Sequence, residues 1–223
     1  MANYAMALEY QNCIDCRACE VACKDENGVM LGADKQRIWV GVVEGGNSLS
    51  DLFVNFYPSQ CNHCVDAPCV TVCPTGASHF VEGGIVKVDY NMCIICKGCM
   101  EACPYEARFV DETKHAVDKC TFCDGRIQEF GTTACSATCP TKVRTFGDID
   151  DKNSDIRKRL EGREFFVLKE DEETLPKLFY LAPEDKELQK RTLGENIKLH
   201  KFDDFIKRYE EETAKRREEW KEA

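Results

Sequence analysis

Apolar positions come in short runs along this chain, separated by turn-rich polar connections. Runs at 4–8 and 143–146, and at 84–88 and 108–110, predict short strands. Alternation over 37–43 and 52–57 predicts a hairpin with Gly45-Gly46-Asn47-Ser48 as its turn, and Gly83-Gly84 reads as a second hairpin turn. The segments 20–24 and 100–105 are expected to open short helices. Further on, 165–168 and 178–181 read as strands or extended segments. From Ile197 the period lengthens: Leu199, Phe202, Phe205, Ile206 and Tyr209 recur at helical spacing with charges opposite. Such a helix could clamp a partner subunit or pack on its own chain. The closing "EEETAKRREEWKEA" reads as a solvated helix end.

No apolar run is long enough to cross a bilayer. Residues 1–10 lack the basic and apolar regions of a secretory signal. A soluble chain is expected, its membrane association supplied by a partner. The length, 223 residues, suits one or two domains. The 43% hydrophobic share counts cysteine; without the 16 cysteines, about 7% of the chain, roughly 36% remains. That is thin for a core of this size, and cross-linking cofactors would make up the difference. A net charge of −10 argues against a nucleic-acid partner.

The cysteines fall into four quartets: Cys13, Cys16, Cys19, Cys23; Cys61, Cys64, Cys69, Cys73; Cys93, Cys96, Cys99, Cys103; and Cys120, Cys123, Cys135, Cys139. Pro74, Pro104 and Pro140 follow the last cysteine of three of them, whereas Lys24 follows Cys23. The first and third quartets read C-x2-C-x2-C-x3-C, the bacterial ferredoxin run, and the other two lengthen the gap before the third cysteine. Disulfides fit poorly, because cysteines two residues apart cannot readily bridge one another. Zinc commonly uses C-x2-C half-sites in pairs, not three thiolates plus one in fixed order. The repeated three-plus-one order points to four cubane [4Fe–4S] clusters, with a zinc-stabilised scaffold as the remote alternative.

In the ferredoxin run the fourth cysteine reaches to a different cluster, and the trailing proline suits the first turn of a helix opening there. The quartets should therefore pair. The second and third are close enough to share a two-cluster module, with Cys61, Cys64, Cys69 and Cys103 on one cluster and Cys93, Cys96, Cys99 and Cys73 on the other. By elimination, Cys13, Cys16, Cys19 and Cys139 hold a third cluster, and Cys120, Cys123, Cys135 and Cys23 a fourth. The predicted fold is α+β: two bacterial-ferredoxin-like modules of double βαβ type, one inserted in the other. The outer module spans 1–29 and 111–150, a connecting hairpin 30–58, the inner module 59–110, and a C-terminal extension ending in a helix 151–223, expected to dock a partner.

His63, between Cys61 and Cys64, is surplus as a ligand and is expected to hydrogen-bond or meet a partner. His79, His115 and His200 show no metal spacing, and no nucleophile–base set or phosphate loop stands out. Lys97, Lys119 and Arg126 lie near cluster loops, where they could raise potentials or be ordinary surface charges.

The segments "CNHCVDAPCVTVCPTGA", "CIICKGCMEACPYEAR", "DKCTFCDGRI" and "ACSATCPTKVRTFGD" resemble the four-cluster iron–sulfur subunits of respiratory molybdopterin oxidoreductases, the dimethyl sulfoxide reductase family. The resemblance runs from residue 4 to about 150, with an echo in "PKLFYL", and is nearest the polysulfide and thiosulfate reductase branch. It implies an electron-transfer subunit, not catalytic alone, between a catalytic subunit with a molybdenum bis-pterin guanine dinucleotide cofactor and an integral-membrane quinone-binding subunit. The implied service is anaerobic respiration of a sulfur compound such as polysulfide, thiosulfate or tetrathionate. The family's order puts the Cys13 cluster nearest molybdenum, then the Cys120 and Cys61 clusters, and the Cys93 cluster nearest the membrane. Some relatives replace a third-quartet cysteine and hold three irons there; with Cys96 present, four full cubanes are expected. The family also implies a peripheral periplasmic position, reached by export with the catalytic partner, with the cytoplasmic face as alternative. A relay subunit of a formate dehydrogenase, hydrogenase or other oxidoreductase would keep the same clusters.

Overall fold

The computed structural model describes residues 2–193 and 197–216. Strand β1 (Tyr4–Leu8) and helix α1 (Ala18–Asn27) open the chain. A hairpin follows, β2 (Ile38–Gly45) with β3 (Phe53–Gln60), paired antiparallel along its whole length. Its turn is longer than the four residues predicted, since Gly45 still pairs with Phe53. Next come α2 (Pro68–Thr71), the hairpin β4 (Ser78–Val81) and β5 (Ile85–Val88), α3 (Gly98–Glu101), and the hairpin β6 (Phe109–Asp111) and β7 (Ala116–Asp118). Helices α4 (Asp124–Phe130) and α5 (Ala134–Thr138) lead to β8 (Arg144–Asp148). The C-terminal part adds α6 (Asp155–Leu160), β9 (Glu164–Phe166), β10 (Leu178–Leu181), α7 (Lys186–Leu193), β11 (His200–Lys201) and α8 (Phe202–Arg216). Mixed helices and small sheets make this an α+β fold.

The largest sheet runs β11-β9-β10-β1-β8. β1 pairs antiparallel with β8, bringing the two ends of the cysteine region together, and parallel with β10. The C-terminal segment is therefore a structural layer of the same body. A central strand of this kind is buried on both faces, and "LFYL" is fully apolar as that requires. Met6, Leu8, Leu178 and Tyr180 face the core that contains the cysteines. Ala5, Ala7, Phe179 and Leu181 face a second core with Ile156 and Leu160 of α6 and Phe202, Phe205, Ile206 and Tyr209 of α8.

The apolar stripe of α8 is thus covered by its own chain, the second of the two arrangements its pattern allowed. It covers the sheet face of Ala5, Ala7, Phe179 and Leu181, which would otherwise lie bare. The predicted solvated end falls partly on 217–223, outside the described residues. The hairpin turn at Gly83 packs beneath Tyr4: Gly83 has φ +79, and a side chain there would collide with the Tyr4 ring. Lys177, wholly buried, donates to the Gly84 carbonyl at 2.5 Å and ties β10's approach to the same turn.

The helices differ from expectation in one consistent respect. In three quartets a short helix precedes the closing cysteine: α2 before Cys73, α3 before Cys103 and α5 before Cys139. The trailing proline then begins a turn, not a helix, and the third residue after the cysteine is left-handed: Gly76, Glu106 and Lys142 at φ +69, +53 and +55. Proline forbids continuation of the helix that ends there. Of the four closing cysteines only Cys23 lies within a helix, α1, where Lys24 keeps the amide donor a proline would remove. The departure from the C-P pattern is thereby explained.

Candidate iron–sulfur sites

All sixteen cysteines are free thiols. One cavity is lined by Cys93, Cys96, Cys99 and Cys73, with Thr75, Ser78 and Lys97 at its wall. Another is lined by Cys120, Cys123, Cys135 and Cys23, with Asn27, Arg37 and Gln60. In both, three cysteines of one quartet meet the closing cysteine of a different quartet. A third set is brought together around Cys64, whose thiol is raised first by burial and then by Cys61, Cys69 and Cys103. Of the fourth set, Cys13 and Cys19 lie near enough to raise one another's field, burial being the larger cause; Cys139 is packed in the same core. Among the described residues no three Cys, His, Asp or Glu side chains converge on a single-ion position. The sulfurs stand around a space, not a point.

The loops repeat in backbone as well as in sequence. The residue before the second cysteine of every quartet is left-handed: Asp15, His63, Ile95 and Phe122, with φ between +44 and +56. Arg17 and Lys97, after the second cysteine of the first and third quartets, are left-handed too. Such residues cost strain, which persists where the surroundings over-determine it. None is glycine, so composition gave no sign of them; the shared place in the repeat was the signal available.

Hydrogen bonds to sulfur support the anionic form. Ser78 N and Val143 N donate to Cys73 and Cys139 Sγ, each at 3.3 Å. Burial raises both thiols, but these amides and the Thr75 and Thr141 hydroxyls outweigh it and hold both below the ordinary thiol range. Val117 N reaches Cys93 Sγ at 3.5 Å and Phe122 N reaches Cys120 Sγ at 3.4 Å. Asn27 Nδ2 donates to Cys23 and Cys123 Sγ, at 3.7 and 3.5 Å, and its Oδ1 accepts from Arg37. Burial pushes the Cys23 thiol up to about 12, so an uncompensated thiolate there would be costly. Buried thiols in sets of four, with amides aimed at them, suit ligation to iron, which takes the thiolate.

Cys16 and Cys96 are the exposed cysteines. Exposed apolar side chains lie near each in sequence, Ile14 and Val21 around Cys16 and Met92 and Ile94 before Cys96. The Cys61 and Cys120 loops lie deeper, with Cys61, Cys64, Cys69, Cys120, Cys123 and Cys135 buried.

His63 is wholly buried. Its Nδ1 accepts from Val86 N at 3.1 Å, so the ring serves the backbone. Of the three cations singled out by sequence, Lys119 is buried and donates to the Cys120 carbonyl at 2.7 Å and to the Val86 carbonyl. Arg126 pairs with Glu26 at 2.9 Å, an ordinary surface ion pair, and Lys97 borders the Cys93 cavity. His79 bonds the Ala77 carbonyl and His200 pairs with Glu170. Sequence reasoning missed Arg108 and Arg144, buried beside the cysteines, and Gln60, whose Nε2 lies 3.7 Å from Cys120 Sγ.

Two family models, both described as a 4Fe–4S dicluster domain, match residues 52–149 and 12–77. Together they take in all four quartets, for four [4Fe–4S] clusters. A polysulfide reductase chain of Wolinella succinogenes is 41% identical over 180 residues, 79% of this protein and 93% of that one. A tetrathionate reductase subunit of Salmonella typhimurium is 38% identical over 187 residues, 82% of this chain and 74% of the relative. The thiosulfate reductase electron transfer subunit of Salmonella typhi is 38% identical over 165 residues, 74% and 84% of the two chains.

Proposed function

The chain belongs to the iron–sulfur electron-transfer subunits of the polysulfide, tetrathionate and thiosulfate reductase family, and we propose that it carries electrons between a membrane subunit that handles quinone and a molybdenum bis-pterin catalytic subunit. It is an electron-transfer subunit of a reductase complex, not the catalytic one. The service is anaerobic respiration of a sulfur compound such as polysulfide, thiosulfate or tetrathionate. The clusters supply one-electron carriers in a row, which divides one long transfer into several short ones.

The ligand sets are those in which the closing cysteine crosses over: Cys13, Cys16, Cys19 and Cys139; Cys120, Cys123, Cys135 and Cys23; Cys61, Cys64, Cys69 and Cys103; and Cys93, Cys96, Cys99 and Cys73. The observation that carries this reading is the pair of cavities in which three cysteines of one quartet meet the fourth of another. The pairing of β1 with β8 around the hairpin β4–β5 supports one module nested in the other, 59–110 within 1–29 and 111–150. The exposed Cys16 and Cys96, with exposed apolar side chains near them in sequence, support the two ends as docking faces, the Cys13 set toward molybdenum and the Cys93 set toward the membrane subunit. No helix among the described residues is long and apolar enough to cross a membrane; the peripheral position on the periplasmic side is what the family resemblance implies.

The test is anaerobic purification of the chain with whatever subunits accompany it, identified by mass, followed by reduction with a quinol. About sixteen irons per chain, reduced by quinol and reoxidised by polysulfide, thiosulfate or tetrathionate through the partner, is the expected result. A complex without a quinone-reactive subunit, or one whose clusters ignore all three oxidants, would overturn the assignment.

A further inference from the structure

Two arginines hold equivalent places in the repeat. Arg108 and Arg144 each stand five residues after the closing cysteine of a quartet, Cys103 and Cys139. They are 6% and 4% exposed. Arg108 Nη2 donates to Cys69 Sγ at 2.8 Å and to Ser78 Oγ at 3.0 Å. The charge of the same guanidinium also acts on Cys99. Arg144 Nη1 donates to Gln60 Oε1 at 2.5 Å and meets Met6 Sδ at 3.5 Å; the charge of this guanidinium also acts on Cys19 and Cys135. The sulfurs on which the two charges act include the third cysteines of all four quartets. Within each pair, they belong to two different ligand sets.

A buried guanidinium keeps its charge, because arginine cannot be deprotonated in a protein. Arg37 meets that requirement with a carboxylate, Asp118 at 2.7 Å. Among the described residues neither Arg108 nor Arg144 has an ion pair with a carboxylate. Moreover, Nε and Nη1 of Arg108 and Nη2 of Arg144 are buried without a protein hydrogen-bond partner. Unpaired donors on a buried cation are costly unless an anion accepts them. What stands beside both guanidinium groups is cysteine sulfur from two sets.

We infer that Arg108 and Arg144 are shared counter-ions, one per module, each bridging the third cysteines of two clusters and holding both at a raised reduction potential. The inference rests on the ligand sets proposed above. Reduction adds negative charge to a cluster, so a fixed cation and N–H donors to its sulfurs favour the reduced form. Low local dielectric strengthens the effect. One cation between two clusters also offsets the repulsion between them when both are reduced, which a relay passing electron pairs one at a time must tolerate. The planar guanidinium matters as well as its charge, since it holds its donors in a fixed fork, whereas an ammonium is a compact point charge on a flexible stem.

The experiment is a redox titration of the complex followed by electron paramagnetic resonance, with iron counted in every sample. Arg108→Gln should keep about sixteen irons per chain and lower two of the four potentials. At a poise that half-reduces those clusters in the unsubstituted protein, the reduced-to-oxidised ratio should fall at least tenfold, about 59 mV for a one-electron couple. Arg144→Gln should lower the other two. Arg108→Lys should lower the same two as Arg108→Gln by a smaller step, and it decides the matter if the glutamine variant fails to load iron. Full iron with no potential moved, or with all four moved alike, overturns the inference. So does Arg108→Lys with unchanged potentials. Iron well short of that count in the unsubstituted chain would instead bring down the ligand sets, and this inference with them.

Discussion

Phe122 lies flat on His63, ring centroids 3.8 Å apart and planes inclined by 21°. Each residue immediately precedes the second cysteine of its quartet, and each is left-handed. The stack therefore joins the loop of Cys61 and Cys64 to the loop of Cys120 and Cys123, across the division between the two proposed modules. His63 suits the place because its Nδ1 accepts from Val86 N on strand β5, leaving the proton on Nε2. Burial, reinforced by Lys119, Lys177, Arg108 and Arg37, holds its pKa well below the usual imidazole value. The ring is neutral, and packing is its function.

Replacing His63 separates packing from hydrogen bonding. His63→Ala removes a buried ring and the acceptor for Val86 N, and should cost about 3–5 kcal/mol. At about 2–4 °C per kcal/mol for a domain of this size, calorimetry under anaerobic conditions should show the melting point fall by about 10 °C. His63→Phe keeps the stack and loses only the acceptor, for about 1–3 kcal/mol. A phenylalanine variant as stable as the parent would show that the Val86 bond contributes nothing.

The cysteine loops and the hairpin of β2 and β3 were legible because their signals are local: fixed spacing in one case, alternation and a Gly-Gly turn in the other. The partner of β1 was not. Its register with β10 spans the whole cysteine region, Met6 opposite Leu178, and a short run of apolar residues does not say which strand it will join. Arg108 and Arg144 were hidden for a different reason. Each reads as one more surface charge until the fold places it beside sulfurs from two quartets, although their common offset from Cys103 and Cys139 was in the repeat.

The joining of β10 to β1 makes the C-terminal segment indispensable to the body of the protein. Removal of residues 151–223 would bare one edge of β1 and the apolar face formed by Ala5 and Ala7, an aggregation hazard. The truncated chain is expected in the insoluble fraction. A milder probe is Tyr180→Phe: the hydroxyl donates to the Pro58 carbonyl at 3.0 Å and bonds Ser59 Oγ at 3.0 Å, tying β10 to β3. Its loss should cost about 1 kcal/mol in a thermal melt. Soluble, iron-loaded protein from the truncated gene would refute the structural role.

Asp111 gives the fold a dependence on acid. Its Oδ1 accepts from Thr113 N at 2.9 Å, Thr113 Oγ1 at 2.6 Å and Lys114 N at 3.1 Å, closing the turn between β6 and β7. Burial raises its pKa, but these bonds and Lys114 outweigh it, and the carboxyl sits below its usual 3.8. A group depressed on folding contributes stability that is complete above the unfolded value and lost as pH falls through the folded one. Asp111→Asn should be less stable than the parent by about 1–2 kcal/mol at neutral pH, with the gap narrowing below about pH 4. Melts across that range check it; a constant gap would remove the carboxylate from the account.

Cys96 and Cys99 serve the same proposed cluster from opposite environments. Cys96 is exposed, whereas Cys99 is buried and lies in the field of Arg108. Loss of the Cys96 thiolate should leave a corner iron facing solvent with the rest of the cavity wall intact. Cys96→Ser is therefore expected to fold and to retain about fifteen irons in place of sixteen, with a new three-iron signal in the oxidised protein by electron paramagnetic resonance. Cys99→Ser strips a buried wall of the cavity and removes a thiolate from beside the Arg108 guanidinium, leaving a desolvated cation with less negative charge near it. It should lose about four irons, the whole cluster, together with thermal stability. Equal iron content in the two variants would mean that the surface and buried thiolates are equivalent supports, and that the cavity is not ordered from the inside outward.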